Sequence, residues 1–290
     1  DLEPRVRAIT DAHLAAALEQ TSFDFIDDIA GKVPMDVVSE LLGVPEADRA
    51  ELRRLADLVV HREEGVFDVP PAAASASIEL AVYYLDLIAA RRKQPRDDLT
   101  SALLEVEIDG ERLTDDELGG FLFLMVVAGN ETTTKLLGHC WYWGWRNPEQ
   151  LAKPLTDRAA VAAWVDETLR YDNSTQMLAR TTTADVVVGD VVIPAASRVL
   201  LLVGSANRDD LVFPNPDRYD LDRDTSELLS FGSGRHFCLG ASLARLEAKV
   251  VLEQLRDRVA GYDIDEADAR RVHSVNVRGF AHLPTSVVLR

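Results

Sequence analysis

Residues 231–248 read Phe-Gly-Ser-Gly-Arg-His-Phe-Cys-Leu-Gly-Ala-Ser-Leu-Ala-Arg-Leu-Glu-Ala, a glycine-rich loop that runs directly into a helical pattern. Gly232, Gly234 and Gly240 allow the backbone to turn tightly or to approach a flat ligand closely. Cys238 lies at the predicted start of the helix, where free N–H groups and the helix dipole favour a thiolate over a thiol. The stretch therefore predicts a loop that presents one cysteine sulfur.

Cys238 has two interpretations. A lone cysteine is most often a buried thiol that packs as a small hydrophobe. A thiolate held at a helix start is also an axial ligand for haem iron, to which it donates electron density that favours O–O cleavage. The pattern Phe-x-x-Gly-x-His/Arg-x-Cys-x-Gly is matched in full by Phe231, Gly234, His236, Cys238 and Gly240. This run resembles the cysteine-ligand loop of the cytochrome P450 family, the haem-thiolate monooxygenases.

The resemblance implies specific roles for the loop. Cys238 would be the axial ligand of the haem iron, and Phe231, Gly232 and Gly240 would contribute to the haem-binding surface. His236, together with Arg180 farther upstream, would bind the two haem propionates, since two carboxylates need positive or donor groups. Each has a plainer alternative: Arg180 as an exposed arginine at a strand start, and His236 as a loop histidine that caps local backbone.

A long helix is predicted between Thr114 and Pro148. Thr114 and Glu117 form a capping-box sequence, and no proline follows before Pro148, so one helix of about 30 residues, roughly 45 Å long, is expected. The segment 121–128 is apolar all round, as is typical of a helix buried through a core. The polar run 129–134 that follows is costly to bury unless something uses it.

The hexad Ala128-Gly-Asn-Glu-Thr-Thr133 is the second chemical signal. The Thr132 hydroxyl can bond back to the carbonyl of Ala128 and loosen the helix there, although an interruption for packing would look the same. The hexad is similar to the family's oxygen-activation motif, Ala/Gly-Gly-x-Asp/Glu-Thr-Thr/Ser. The resemblance implies that Glu131 and Thr132 relay protons to the bound dioxygen, which is acid–base chemistry, while Ala128 and Gly129 line the haem face.

Glu167 and Arg170 lie at i and i+3 of a predicted helix and so share one face. Most such pairs are solvated and contribute less than about 1 kcal/mol. Their position resembles the family's Glu-x-x-Arg, which implies a buried structural pair that holds the cysteine loop in place. Arg218 matches the site at which the family supplies a partner for that pair.

Composition limits the class of protein. The 290 residues carry a formal net charge of −18, which disfavours binding to nucleic acid or to an anionic membrane. Cys140 and Cys238 are far apart and give no disulfide framework, as in a reducing cytoplasm. The longest apolar stretch, 121–128, is far shorter than the roughly 20 residues that span a bilayer. We therefore expect a soluble, cytoplasmic protein with no membrane span.

The coarse pattern is mainly α with a minor β region, and the resemblance implies a cytochrome P450-like fold. Only the later three-quarters of the family's chain is matched, so the fold is expected to be N-terminally incomplete, and residues 1–290 to form a single haem-binding domain. Helices are predicted over 34–43, from 45 to about 61, after a loop at 65–74 to about 92, over 157–171 and from 238 to about 259. A hairpin is predicted over 185–193 with its turn at Gly189-Asp190, and a strand over 198–203.

The function implied by the resemblance is a monooxygenase. It would bind haem b, use O2, and receive electrons originating from NAD(P)H through a ferredoxin-type electron donor and its reductase. One oxygen atom would enter a hydrophobic small-molecule substrate. A haem-thiolate peroxygenase is disfavoured, because the Glu131–Thr132 pair is intact. Two alternatives remain open: a non-catalytic haem or small-molecule-binding relative, and a protein without haem in which Cys238 is structural. Arg235, Arg245 and Lys249 are either a donor-docking patch or a solvated helix face.

Overall fold

The computed structural model describes residues 2–66, 68–274 and 277–290. Within them, helices dominate and the strands form small antiparallel sheets, which confirms the predicted fold class. The helices are α1 (Glu3–Ala17), α2 (Lys32–Leu42), α3 (Glu46–Val60), α4 (Pro71–Lys93), α5 (Leu99–Glu105), α6 (Asp115–Arg146), α7 (Pro148–Thr156), α8 (Ala160–Tyr171), α9 (Val203–Ala206) and α10 (Ala241–Arg258). A π-helical segment, Ile26–Ala30, precedes α2.

The strands come mostly from the second half of the chain. They are β1 (Ser22–Asp24), β2 (Glu107–Ile108), β3 (Glu111–Arg112), β4 (Leu178–Thr181), β5 (Val186–Val188), β6 (Val191–Ile193), β7 (Arg198–Leu201), β8 (Val259–Ile264), β9 (Arg270–Arg271), β10 (Phe280–His282) and β11 (Pro284–Leu289). The largest sheet among them has the order β1-β11-β8, so the two ends of the chain pair, with Ser22 opposite Ser286. Four two-stranded sheets are β2-β3, β4-β7, β5-β6 and β10-β9.

Helix α6 connects the two apolar cores of the molecule. Its N-terminal half, through Leu118 and Leu122, packs in a core with α2, α3 and α4. Its C-terminal half, through Leu137 and Trp141, packs in a second core with α1, α8 and α10. Trp141 stacks between Phe25 and Tyr262, with ring centroids 5.0 and 3.5 Å away. The helix thus places residues 128–133 between the two apolar cores.

Several predicted boundaries are confirmed. The Thr114–Glu117 capping box forms, and α6 runs for 32 residues without a break. Helix α2 ends at Gly43 with φ 77°, α3 follows Pro45, and the hairpin turns at Gly189 with φ 58°. Helix α4 begins at Pro71, so the predicted loop 65–74 is wrong from that residue onward, because a proline is readily accommodated in the first helical turn. Phe67, in the same loop, lies outside the described residues.

One helix raises the question of a membrane span. Helix α4 is long and apolar enough to cross a bilayer by length and composition alone, and a third of its most apolar window is buried against the protein. Its buried side includes Leu80, Tyr84 and Ile88, which belong to the core shared with α6. Core helices of soluble proteins meet the same criterion, so the absence of a span stays a prediction.

Candidate functional site

The cysteine loop is held by its own backbone. Gly232 and Gly234 have φ of 72° and 63°, in the left-handed region that glycine tolerates best. The Cys238 N–H donates to the Phe231 carbonyl at 2.8 Å, and the Gly232 N–H donates to the Leu229 carbonyl at 2.8 Å. Residues Gly234–His236 form a single 3-10 turn. These bonds close the loop so that residues 231 and 238 stand side by side.

Cys238 lies at the surface, in the turn that leads into α10. The Ala241 N–H donates to the Cys238 carbonyl at 3.2 Å, and α10 begins at that residue. A Cβ on Gly240 would stand 4.0 Å from the Cys238 sulfur, so this glycine keeps the space beside the sulfur open. The neighbouring Phe237 and Leu239 are also exposed. The loop therefore presents a thiol, flanked by apolar side chains, to whatever binds this face.

The polar segment of α6 is also organised by a backbone bond. The Thr132 hydroxyl donates to the Ala128 carbonyl at 2.6 Å, as predicted. The helix continues through this bond as one element from Asp115 to Arg146, so the hydroxyl does not end or interrupt it. Leu124 and Ala128 are exposed, whereas a segment buried all round was expected. Leu124, Ala128 and Thr132, spaced by four, form one open stripe along the helix.

Glu131 and Gly129 do not lie on that stripe. Glu131 is buried and its carboxylate lies 3.3 Å from the Lys135 ammonium, also buried. Its carboxyl group is within hydrogen-bonding reach of that of Asp57 on α3. A Cβ on Gly129 would point at Val38 of α2, 3.6 Å away. Adjacent positions of one helix thus present the hydroxyl and the carboxylate to different surroundings.

The Glu167–Arg170 pair is fully buried, as the resemblance implied. Both guanidinium–carboxylate bonds are 2.8 Å long, and the two side chains are at most 1% exposed. Arg170 also donates to the carbonyls of Asn207, at 3.0 Å, and Pro216, at 2.9 Å. The pair therefore ties α8 to the irregular segment that leads into the cysteine loop.

The predicted third member, Arg218, is wrong as a side-chain partner. Its guanidinium is 66% exposed and lies 3.9 Å from Asp220, whereas only its carbonyl accepts bonds from Arg170 and Arg223. Arg223, only 8% exposed, lies 3.5 Å from the Glu167 carboxylate. The segment turns at Asn215, with φ 53°, and after it Arg218 lies exposed and Arg223 lies buried. Both arginines lie beside aspartates in the sequence, so no local signal separates them.

Arg180 and His236 carry polar groups without a fixed anionic partner. Arg180 is half-buried on β4 and donates to the Ala179 carbonyl at 2.8 Å. No carboxylate of the described residues lies within 4.0 Å of its guanidinium or of the exposed His236 ring. These two side chains are available to bind the anionic edge of a ligand.

The donor set fits an iron porphyrin. Such a group needs one soft ligand, apolar walls and cationic or donor groups for its carboxylates. The exposed Cys238 supplies the first, and Arg180 with His236 supply the last. Apolar side chains stand exposed on the Arg180 face of β7, on the segment after β7 and beside the cysteine, where water would otherwise cover them; they are Leu201, Leu202, Phe237 and Leu239.

Comparison with known proteins identifies the family. The sequence model of the family Cytochrome P450 matches residues 152–256. The chain is 57% identical, over its whole length and 72% of the relative's, to the putative cytochrome P450 123 of Mycobacterium tuberculosis. It is 38% identical, over 98% of its length and 70% of the relative's, to the 6-deoxyerythronolide B hydroxylase of Saccharopolyspora erythraea.

The fold comparison agrees with the sequence comparison. The structure of cytochrome P450 CYP109Q5 from Chondromyces apiculatus superposes with a TM-score of 0.91 at 39% identity, covering all of this chain and 72% of that one. The chain thus spans about 70% of the length of such relatives. With its cysteine loop, its buried Glu167–Arg170 pair and these matches, the chain belongs to the cytochrome P450 family of monooxygenases.

Proposed function

We propose that residues 1–290 bind haem b as a single unit, with the Cys238 sulfur as the axial ligand of the iron. The observation that carries this is the position of Cys238: exposed, beside Phe231, in a loop closed by its own backbone bonds. When bound, the haem supplies the activation of O2. The protein supplies the thiolate, the orientation of the ring and the surroundings of its two faces.

Arg180 and His236 orient the haem by binding its propionates. Arg180 lies on β4, which pairs with β7, and His236 lies in the cysteine loop. Neither forms an ion pair with a carboxylate of the described residues. A guanidinium or imidazolium bond to a carboxylate is charge-assisted and so stronger than a neutral one. Phe231, Gly232 and Gly240 pack on the cysteine side, and Ala128, on the open stripe of α6, packs on the other, whereas Gly129 faces Val38 of α2.

Thr132 and Glu131 move protons to the oxygen-binding face. Thr132 holds its hydroxyl on the open stripe with Leu124 and Ala128, and Glu131 lies one position away in the helix. Adjacent positions of a helix do not face each other, so this transfer requires Glu131 to leave Lys135 and turn toward Thr132, or a water molecule that bridges the two. The intact pair favours a monooxygenase over a peroxygenase.

The substrate is an apolar organic molecule, into which one oxygen atom is inserted. Leu124 and Ala128 make the open side of α6 apolar, and relatives include an enzyme named a hydroxylase. The electrons come from NAD(P)H through a ferredoxin-type donor and its reductase. On the cysteine side, Arg245 pairs with Asp166 at 2.8 Å and Lys249 with Glu253 at 2.9 Å, so Arg235 is the most available cation for docking. We place the protein in the cytoplasm.

The absorption spectrum of the reduced, carbon monoxide-treated protein tests the haem assignment. We expect a strongly red-shifted Soret band that disappears in Cys238→Ala, because only a thiolate ligand produces that shift. Cys140→Ala is the matched control, since Cys140 is buried in the core and should leave the band in place. A histidine-type band, or no haem band in a haem-supplied preparation, would refute the assignment. Thiolate-ligated haem without oxygen transfer would identify a non-catalytic haem-binding relative instead.

A further inference from the structure

A polar cavity of about 240 Å³ lies beside the middle of α6, away from the stripe that carries Thr132. It is bounded by the π-helical segment, the C-terminal end of α3, α6, and β9 with the stretch after it. Eight of its lining side chains are charged or titratable; they are Asp27, Arg53, Asp57, His61, Glu131, Lys135, Arg271 and His273. A cavity of this size and polarity has room for several water molecules.

Two carboxyl groups meet at the inner end of this cavity. The Asp57 side chain is 45% exposed overall, but its Oδ1 is buried and accepts no hydrogen bond from any described group. The Asp57 carboxyl faces that of Glu131, and its Oδ2 lies 4.0 Å from the Arg53 guanidinium. Two ionised carboxylates in contact repel each other, so a pair whose facing oxygens are enclosed is stable when it shares a proton.

The surroundings decide which carboxyl group carries that proton. Glu131 is 4% exposed and forms an ion pair with Lys135. Among the described residues, no cation comes that close to Asp57. Desolvation of the enclosed carboxyl oxygen, and next the neighbouring Glu131, raise the pKa of Asp57 from its usual 3.8 to about 8. At neutral pH Asp57, on α3, is therefore the acid of the pair.

We propose that Asp57 is a positioning residue that holds a proton for Glu131 and reloads it from the water of this cavity. The inference rests on the proposed proton transfer by Glu131 and Thr132. The Asp57 proton passes to the Glu131 carboxyl group, which hands a proton on toward Thr132, and the Asp57 carboxylate then takes a proton from cavity water. The cavity is thus the solvent entrance of a relay whose exit is the open stripe of α6.

Isotope-edited NMR of the aspartate carboxyl carbons in the full chain tests the shared proton, with or without haem. We expect one resonance that titrates near pH 8, is missing in Asp57→Asn, and shifts to a lower pKa in Glu131→Gln. Glu51→Gln is the matched control, because Glu51 is an exposed carboxylate on the same helix, paired with Arg54. An Asp57 resonance that titrates near pH 4, or whose pKa is the same in Glu131→Gln as in the wild type, would overturn the proposal.

The pH dependence of the free energy of unfolding provides a second test, which does not depend on activity. Asp57 in the unfolded chain titrates near 3.8, so between that pH and about 8 the folded state binds more protons than the unfolded state. Stability therefore falls as pH rises through this window, and Asp57→Asn should flatten that slope. An unchanged slope in a folded Asp57→Asn protein would contradict the shared proton.

Turnover tests the relay itself. In the haem-loaded enzyme, Asp57→Asn should reduce product formed per NAD(P)H by about tenfold, less than the roughly 10²–10⁴-fold of a direct proton donor because Asp57 acts through Glu131. It should also abolish the loss of turnover above pH 8 and change the solvent isotope effect. A wild-type pH profile and isotope effect in Asp57→Asn would refute the relay even if NMR shows the pair. Failure of the haem assignment would appear separately, as a missing Soret band.

Discussion

The polar groups around Arg170 are buried and paired, whereas those of the ligand face, which comprises Arg180, His236 and Cys238, are exposed or half-buried. Arg170 is completely buried, and its guanidinium bonds Glu167 and several backbone carbonyls. Arg180, by contrast, bonds only a neighbouring carbonyl, and Cys238 and His236 are exposed. Buried polar groups must be satisfied internally, whereas donors left free at a surface are available to a ligand. The first region stabilises the chain, and the second is the one to which we assign the proposed haem.

The largest effect should follow from breaking the buried pair. Arg170→Ala leaves the Glu167 carboxylate buried without its principal cation, and removing one partner of a buried pair costs about 3–5 kcal/mol. We expect the free energy of unfolding, measured by chemical denaturation, to fall by that amount. A change below about 1 kcal/mol would show that the pair behaves like a surface ion pair.

A smaller loss should distinguish the two arginines of the segment after β7. Arg223→Ala removes a buried bond to Glu167 and a 2.6 Å bond to the Pro214 carbonyl, so we expect a loss of about 1–3 kcal/mol. Arg218→Ala is the matched control: its exposed guanidinium should change stability by less than about 0.5 kcal/mol. The reverse order in denaturation would restore Arg218 as the structural partner.

The smallest change in stability, with a clear effect on binding, is expected at the ligand face. Arg180→Ala should leave the free energy of unfolding of the haem-free chain nearly unchanged, because no carboxylate of the described residues pairs with it. Loss of a charge-assisted bond to a propionate should weaken haem binding by about tenfold, measured by haem titration. Arg198→Ala on β7 is the control: it is exposed and, by register, on the opposite face from Arg180. Equal affinities in both variants would exclude the propionate role.

Local patterns predicted the helical and hairpin elements well. The Thr114–Glu117 box set the start of α6, Gly43 the end of α2, and Gly189 the hairpin turn. Each depends on hydrogen bonds or backbone angles within a few residues. Helix α7 was not predicted, although Pro148 occupies its first position, because Asn147-Pro148 also ends α6 and reads as a break.

Long-range contacts could not be predicted in the same way. β1 pairs with β11 across almost the whole chain, and three residues of β1 carry no alternating pattern of their own. The same holds for the site: the sequence motif contains both Glu131 and Thr132, but only packing against α3 shows that Glu131 meets Asp57.

The amino-acid sequence by itself determined the cysteine loop, the long polar-centred helix and the Glu167–Arg170 pair, and through them the family. Those features are short motifs, in which residue type and spacing already define the chemistry. The tertiary structure alone decided that Arg223 rather than Arg218 reaches Glu167, and that Asp57 meets Glu131 at a cavity that both residues line. Burial and charge partners depend on which distant elements pack together, and that information is absent from any local stretch of sequence.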